Sequence, residues 1–122
     1  ILVVPPVSKT VADALAANGA PILLDEMDER LAGIGAPVFN FHDPAALGSS
    51  ECEFIDGFHG GRVTYLRMLQ AVVRSGKTGL ASYVDVAEID RLIAENAGHA
   101  MLKENIRPGE PETDFLELGC QK

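Results

Sequence analysis

The sequence predicts an α/β fold built on a parallel sheet, and two observations lead to this prediction. Residues 1–4 and 37–41 are rich in the aliphatic, β-branched and aromatic side chains that are typical of strands. The residues between these segments instead carry apolar side chains at helical spacing. Two strands joined by a helical connection form a βαβ crossover, in which the strands lie parallel.

The first predicted strand, Ile-Leu-Val-Val at residues 1–4, is an uninterrupted apolar run. Such a run is typical of a strand covered on both faces of a parallel sheet, and Pro5 and Pro6 end it because proline lacks an amide donor. A domain seldom opens in a core strand. We therefore expect a fragment, a processed chain or a sequence whose first part is absent, which either adds to a larger sheet or pairs with itself.

Two helices are predicted between the strands. Ser8 or Thr10 can cap the first helix, which Asn18 and Gly19 then end in the left-handed conformation. A second helix is expected after Pro21, with apolar residues at helical spacing up to position 34 and acidic residues on its wet face.

Residues 42–61 form a predicted long loop that is rich in Gly, Ser, Pro and Asp. Loops of this length are often functional. An amphipathic helix is expected at residues 62–74, and Asp85 is placed to cap a further helix that ends near Gly98. The predicted organisation is an α/β domain part at 1–78, an appended helical segment at 79–103 and a polar tail or arm at 104–122.

The composition is that of a globular protein, with 47% hydrophobic residues and a formal net charge of −8. This charge argues against nucleic acid as a partner, because binding to phosphates requires a Lys and Arg footprint. No apolar run approaches the roughly 20 residues of a membrane helix, so no membrane insertion by this segment is expected. Cys52 and Cys120 have neither metal-finger nor Cys-x-x-Cys spacing, and we expect unpaired thiols.

The segment Asp56-Gly57-Phe58-His59 has the residues and spacing of a catalytic pair. In a turn bent at Gly57, the Asp56 carboxylate can accept the imidazole N–H of His59. That contact fixes the tautomer and leaves the far nitrogen of His59 as a general base for a hydroxyl nucleophile. The alternative is structural: Asp56 caps the helix region and His59 is a partly exposed, hydrogen-bonded histidine.

The order of these features resembles the C-terminal half of the SGNH, or GDSL-like, hydrolase superfamily. The resemblance covers residues 1–74 and rests on Val-Val-Pro-Pro, Val-Phe-Asn-Phe and Phe-Ile-Asp-Gly-Phe-His, which precedes a helix. It implies the C-terminal part of a three-layer α/β/α flavodoxin-like parallel sheet, with His59 as the base and Asp56 as its orienter. The family's Gly-Asp-Ser block and its oxyanion donors have no counterpart here, and Gly60 stands where many members have proline.

Other kinds of site have weaker support. His42, Asp43, Asp56 and His59 offer nitrogen and oxygen ligands for zinc, but none of them has the spacing of a helix-borne site, and solvated loop residues are the alternative. The glycines of residues 57–61 lack the Lys-Ser/Thr that a phosphate loop needs, and Ser75-Gly76-Lys77-Thr78-Gly79 follows a predicted helix as a stop signal. We expect no metal and no cofactor.

The resemblance implies ester hydrolysis or acyl transfer, with acyl or acetyl esters, including acylated carbohydrate, as substrates. The nucleophilic serine would then come from a missing N-terminal half or from another subunit, and this chain alone would be inactive. The rival hypothesis is a non-catalytic interaction module, a hydrolase remnant that binds through its sheet edge. Homo-oligomer formation fits either hypothesis, because a partner protects an uncovered parallel sheet.

Overall fold

The structure of the protein is a computed structural model that describes residues 1–19, 27, 29–106 and 112–120. The strands and α-helices that lie wholly within these ranges are, in chain order, β1 (Leu2–Val4), α1 (Lys9–Ala17), β2 (Val38–Asn40), α2 (Arg62–Arg74) and α3 (Val86–Asn96). Short 3₁₀ turns lie at Pro44–Leu47, Glu51–Glu53, Gly79–Ser82 and Lys103–Asn105. None of the helices in these described ranges is both long and apolar enough to cross a bilayer.

The strands β1 and β2 pair in parallel, with Val3 opposite Phe39. The pairing continues one residue beyond β2, where the backbone N–H of Phe41 donates to the carbonyl of Val4 at 3.0 Å. The predicted parallel pairing of these two segments is confirmed.

The predicted fold class, the C-terminal part of a three-layer α/β/α flavodoxin-like parallel sheet, is wrong. Within the described ranges the sheet consists of β1 and β2, each 3 residues long. A sheet this narrow cannot support a layer of helices on each face, because a parallel sheet needs several strands to present two covered surfaces. The helix α2 packs on β2, and α3 packs mainly on α2.

The contact between β2 and α2 forms a small apolar core. Phe39 and Phe41 are buried against Met68 and Val72 of α2, and the two phenyl rings stack with centroids 6.2 Å apart. Aromatic pairs at this separation add to the stabilisation that burial alone provides. This core fixes the position of α2, and therefore of the loop that immediately precedes it.

Capping side chains define the first and last helices. Ser8 is fully buried, and its hydroxyl accepts a hydrogen bond from the Val11 N–H at 3.2 Å, as the sequence predicts for one of its two candidate caps. Asp85 caps α3 in the same way, through the N–H of Glu88 at 3.1 Å. The helix predicted after Pro21 falls largely outside the described residues, although residues 29–32 are helical.

The cysteines are joined, and the expectation of unpaired thiols is wrong. Cys52 and Cys120 form a disulfide across a sequence separation of 68. The segment 112–120, which ends in this bond, is also held by Glu112, whose carboxylate accepts the N–H groups of Ala100 at 2.9 Å and Met101 at 2.6 Å. The C-terminal segment is therefore fastened to the body of the protein at both of its ends.

We expect the Cys52→Ser/Cys120→Ser double variant to lose about 2–4 kcal/mol of unfolding free energy, because the unfolded chain is no longer restricted by a long closed loop. Urea denaturation of the oxidised protein and of the variant measures the difference. Adding a reductant to the unmodified protein should reproduce it, whereas the variant should not respond to reductant. Equal midpoints before and after reduction would contradict the expectation.

Candidate functional site

A tight hairpin positions the Asp56 and His59 side chains. Phe54 and Gly60 form an antiparallel bridge. On one side of the bridge the Ile55 N–H donates to the His59 carbonyl at 2.8 Å, and on the other the Gly61 N–H donates to the Glu53 carbonyl at 2.7 Å. The residues between Ile55 and His59 must therefore reverse the chain, which draws the catalytic candidates together.

Gly57 is required at the bend of this hairpin. Its φ of +86° lies in the left-handed region, which disfavours residues with a Cβ. A Cβ at this position would also lie 2.8 Å from Val11 Cγ2 and 3.1 Å from Ser8 Oγ. The Gly57 carbonyl accepts the Ser8 N–H at 2.7 Å, so the hairpin is docked against the start of α1.

Asp56 and His59 make the contact that the sequence predicts. His59 Nδ1 lies 2.7 Å from Asp56 Oδ2, while Asp56 Oδ1 accepts the backbone N–H groups of Phe58 at 3.0 Å and His59 at 2.8 Å. Both carboxylate oxygens are thus occupied, which fixes the carboxylate plane relative to the imidazole. With its proton on Nδ1, His59 keeps an unshared electron pair on Nε2.

Electrostatics keep this carboxylate ionised. The hydrogen bond from the His59 ring is the largest cause of the lowered pKa of Asp56, and the His59 and Phe58 amides lower this pKa further. Burial acts to raise the pKa, but by less than either hydrogen bond from His59 lowers it. The His59 side chain is 71% exposed, and among the described residues it makes no hydrogen bond through Nε2. The arrangement can therefore accept a proton from a group that approaches from solvent.

A buried ion pair lies beneath the hairpin and was missed in the sequence. Glu53 is 1% exposed, and its carboxylate accepts two hydrogen bonds from Arg67, each 2.9 Å long. The Ser49 hydroxyl and the Gly98 N–H also donate to it, at 2.7 and 3.0 Å. This carboxylate thereby connects the hairpin to α2 and to the end of α3.

The Glu53 backbone carbonyl adds to these connections. It accepts the Thr64 hydroxyl at 3.0 Å as well as the Gly61 N–H at 2.7 Å. Gly61 in turn lies directly against Ala100, whose carbonyl oxygen would be 2.2 Å from a Cβ at this position. The strand of the hairpin that follows His59 is therefore held rigidly, and the only signals in the sequence are the paired glycines at its end.

The structure does not bring His42 and Asp43 into the dyad. Asp43 caps the turn that follows it by accepting the Ala45 N–H at 2.9 Å. Both residues line a separate cleft of about 700 Å³ between α1 and residues 42–51, which neither Asp56 nor His59 lines. The described residues contain no cluster of three or more His, Cys, Asp or Glu side chains placed to hold a metal ion.

The serines of the chain all lie in the described ranges, and none is hydrogen-bonded to His59. The hydroxyls of Ser8, Ser49, Ser75 and Ser82 bond to other groups of the protein. Ser50 lines the separate cleft. The described part of the chain therefore presents the pair of Asp56 and His59 without a serine hydroxyl in contact with it.

A smaller apolar groove adjoins the hairpin. Its volume is about 270 Å³, and its lining consists of Ile55, Ala100, Met101, Glu112, Thr113 and Phe115. Two large apolar side chains of this lining are exposed, with Ile55 at 47% and Phe115 at 67%. This groove could not be predicted from the sequence, because its walls come from the hairpin and from the C-terminal segment that the disulfide holds in place.

No protein-family model, no curated protein and no solved structure matches this chain. The resemblance to SGNH hydrolases therefore stays a hypothesis that rests on the sequence motif. The geometry of Asp56 and His59 is independent of that hypothesis.

Proposed function

We propose that Asp56 and His59 are the orienting carboxylate and the general base of a serine-dependent ester hydrolase or acyltransferase, whose nucleophilic serine lies outside this chain. The observation that carries the proposal is the 2.7 Å contact between His59 Nδ1 and Asp56 Oδ2, combined with the exposure of the imidazole. The serine would come from an N-terminal half of the same protein or from another subunit.

In the proposed reaction, His59 Nε2 accepts the proton of the serine hydroxyl as its oxygen attacks the ester carbonyl. The resulting imidazolium is stabilised by the ionised Asp56 carboxylate. When the tetrahedral intermediate collapses, Nε2–H protonates the departing alkoxide and an acyl-enzyme remains. Water completes hydrolysis, or an acceptor hydroxyl completes acyl transfer. Acyl and acetyl esters, including acylated carbohydrates, are the proposed substrates.

The position of the hairpin in the fold supports this proposal. The hairpin follows β2, and its turn is docked on Ser8, in the connection that follows β1. The dyad therefore lies on the side of the carboxyl ends of both parallel strands, where ligands usually bind in open α/β sheets.

A fluorophosphonate probe, which labels activated serines, tests the proposal on the intact source protein that contains this chain. We expect labelling, and we expect His59→Ala to slow it by about 10²–10⁴-fold, the usual contribution of a general base. His42→Ala is the matched control and should label at the unmodified rate. The catalytic proposal is wrong if the His59→Ala variant is labelled at the normal rate. It is also wrong if the probe labels no protein that contains this chain.

The second candidate function is a non-catalytic interaction module, and one observation favours it. In β1, Leu2 is 37% exposed, and the preceding Ile1 is 62% exposed, so this end of the sheet presents apolar side chains at its surface. Strands of this kind pair readily with another chain. Sedimentation of this chain at several concentrations, with and without Leu2→Lys, tests the module. An oligomer that Leu2→Lys disrupts would support it, provided that the fluorophosphonate probe labels no protein that contains this chain.

A further inference from the structure

We infer that the groove of about 270 Å³ beside the hairpin holds the acyl chain of an uncharged ester. This inference rests on the proposed function and names the part of the substrate that this chain itself recognises. The groove is lined by the side of the hairpin and by the C-terminal segment, and we refer to it below as the acyl groove.

The hairpin relates the acyl groove to the dyad, because Ile55 of the groove lining is paired with His59. The bridge between Phe54 and Gly60 places Ile55 opposite His59, and the 2.8 Å hydrogen bond from the Ile55 N–H to the His59 carbonyl fixes this register. Opposite residues in an antiparallel pair project their side chains to the same face, with Cβ atoms about 4.5–5.5 Å apart. An acyl chain packed on Ile55 therefore presents its carbonyl end beside the His59 imidazole.

The chemistry of the lining selects an uncharged, apolar occupant. The walls include the side chains of Ile55, Met101 and Phe115. Glu112 contributes the charged side chain of the lining, but its two carboxylate oxygens already accept the backbone N–H groups of Ala100 and Met101. A charged or strongly polar group placed against these apolar side chains would lose water, and the Glu112 carboxylate is already engaged.

The size of the acyl groove fits one part of a substrate. Sites for whole drug-sized ligands usually measure about 300–1,000 Å³, and this groove is below that range. A linear acyl chain of moderate length fills such a groove while the alcohol part of the ester stays outside. Each buried methylene should then tighten binding about fourfold until the groove is full.

The acyl groove is already formed without a ligand, because the C-terminal segment that lines it is held in place. Phe115 forms part of its wall, and Leu116 Cδ1 lies 3.1 Å from the position of a Cβ at Gly57, so the segment packs on the turn of the hairpin. The disulfide to Cys52 and the hydrogen bonds of Glu112 hold this segment on both sides of Phe115. A site held in this way loses little conformational entropy when a ligand binds.

Titration of this chain with neutral methyl esters, followed by ¹H–¹⁵N NMR spectra, tests the acyl groove without requiring a nucleophile. We expect saturable shifts of the Ile55, Ala100 and Met101 amides, with affinity rising about fourfold per methylene from methyl propanoate to methyl hexanoate. Ile55→Asp and Phe115→Ser should each weaken methyl hexanoate binding at least tenfold. Tyr83→Asp, at a side chain that is 86% exposed and outside the groove lining, is the control.

The inference would be overturned if no amide shift saturates. It would also be overturned if the shifts centre on the separate cleft of about 700 Å³ and both groove variants bind with unchanged affinity. Because two exposed positions are substituted, misfolding of one variant leaves the other as a test. His59→Ala should not weaken ester binding. If the esters bind but the fluorophosphonate labelling does not depend on His59, the proposed function is wrong and the acyl groove stands. If the labelling depends on His59 but the esters do not bind, the acyl groove is wrong and the proposed function stands.

Discussion

Asp56→Asn should lower kcat of the proposed hydrolase by about 10⁴-fold with little change in KM, as for the orienting aspartate of a Ser-His-Asp triad. The asparagine oxygen can still accept the amide N–H groups that now bond to Asp56 Oδ1. Its NH₂ group then faces His59 Nδ1 and donates to it. The imidazole proton must move to Nε2, so His59 can no longer accept the proton of the nucleophile.

Two measurements separate this chemical effect from a structural one. Nitrogen NMR of the imidazole should show the proton moving from Nδ1 to Nε2 in Asp56→Asn, while the unfolding midpoint stays nearly unchanged. Asp43→Asn is the matched control, since it changes an exposed turn-capping carboxylate outside the dyad and preserves its acceptor oxygen. A full kcat in a variant with the altered tautomer would show that His59 is not the base.

The dyad contact could be predicted from the sequence because all of its determinants are local. Asp56 and His59 are three residues apart, and Gly57 supplies the left-handed bend that closes the turn. The helix boundaries were predictable for the same reason, since paired glycines precede α2 and Asp85 caps α3. These features depend on neighbours in the chain rather than on the rest of the fold.

The features that were missed or wrong depend on distant parts of the chain. The disulfide joins residues with a sequence separation of 68, and nothing in the spacing of Cys52 and Cys120 indicates that they meet. Glu53 and Arg67 each look like solvent-facing charges, and only the docking of α2 against the hairpin buries them together. The three-layer fold was implied by the resemblance to SGNH hydrolases, whose local motifs do not determine how many strands the sheet of this chain contains.

Glu53→Gln should lower the unfolding free energy by about 3–5 kcal/mol, the usual cost of removing one partner from a buried ion pair. The Arg67 side chain is only 16% exposed, so it would remain largely buried without a compensating negative charge. Chemical denaturation measures this loss. Glu95→Gln is the matched control, because its pair with Arg91 is exposed to solvent and should contribute little to stability.

The predicted pH dependence follows from the pKa of Glu53. Burial acts to raise this pKa, but the hydrogen bonds from Arg67, Gly98 and Ser49 outweigh burial and lower it below the ordinary value of 4.5. The contribution of Glu53 to stability is thus fully present above pH 4.5 and is lost as the pH falls through the lower pKa of the folded state. The difference in stability between the unmodified protein and Glu53→Gln should therefore shrink in acid.

Glu53→Gln should also destabilise the hairpin locally, so it tests whether Glu53 holds Asp56 and His59 in position. Glu53 lies next to Phe54, and its side chain ties this strand to α2 and to Gly98. When that tie weakens, amide hydrogen exchange at Ile55 and Gly61 should speed up more than exchange at Phe41 in the sheet. Equal acceleration at all three amides would mean that Glu53 stabilises the whole fold rather than the hairpin.

A double variant, Glu53→Leu/Arg67→Met, should recover part of the stability that Glu53→Gln loses, because it leaves no unpaired charge.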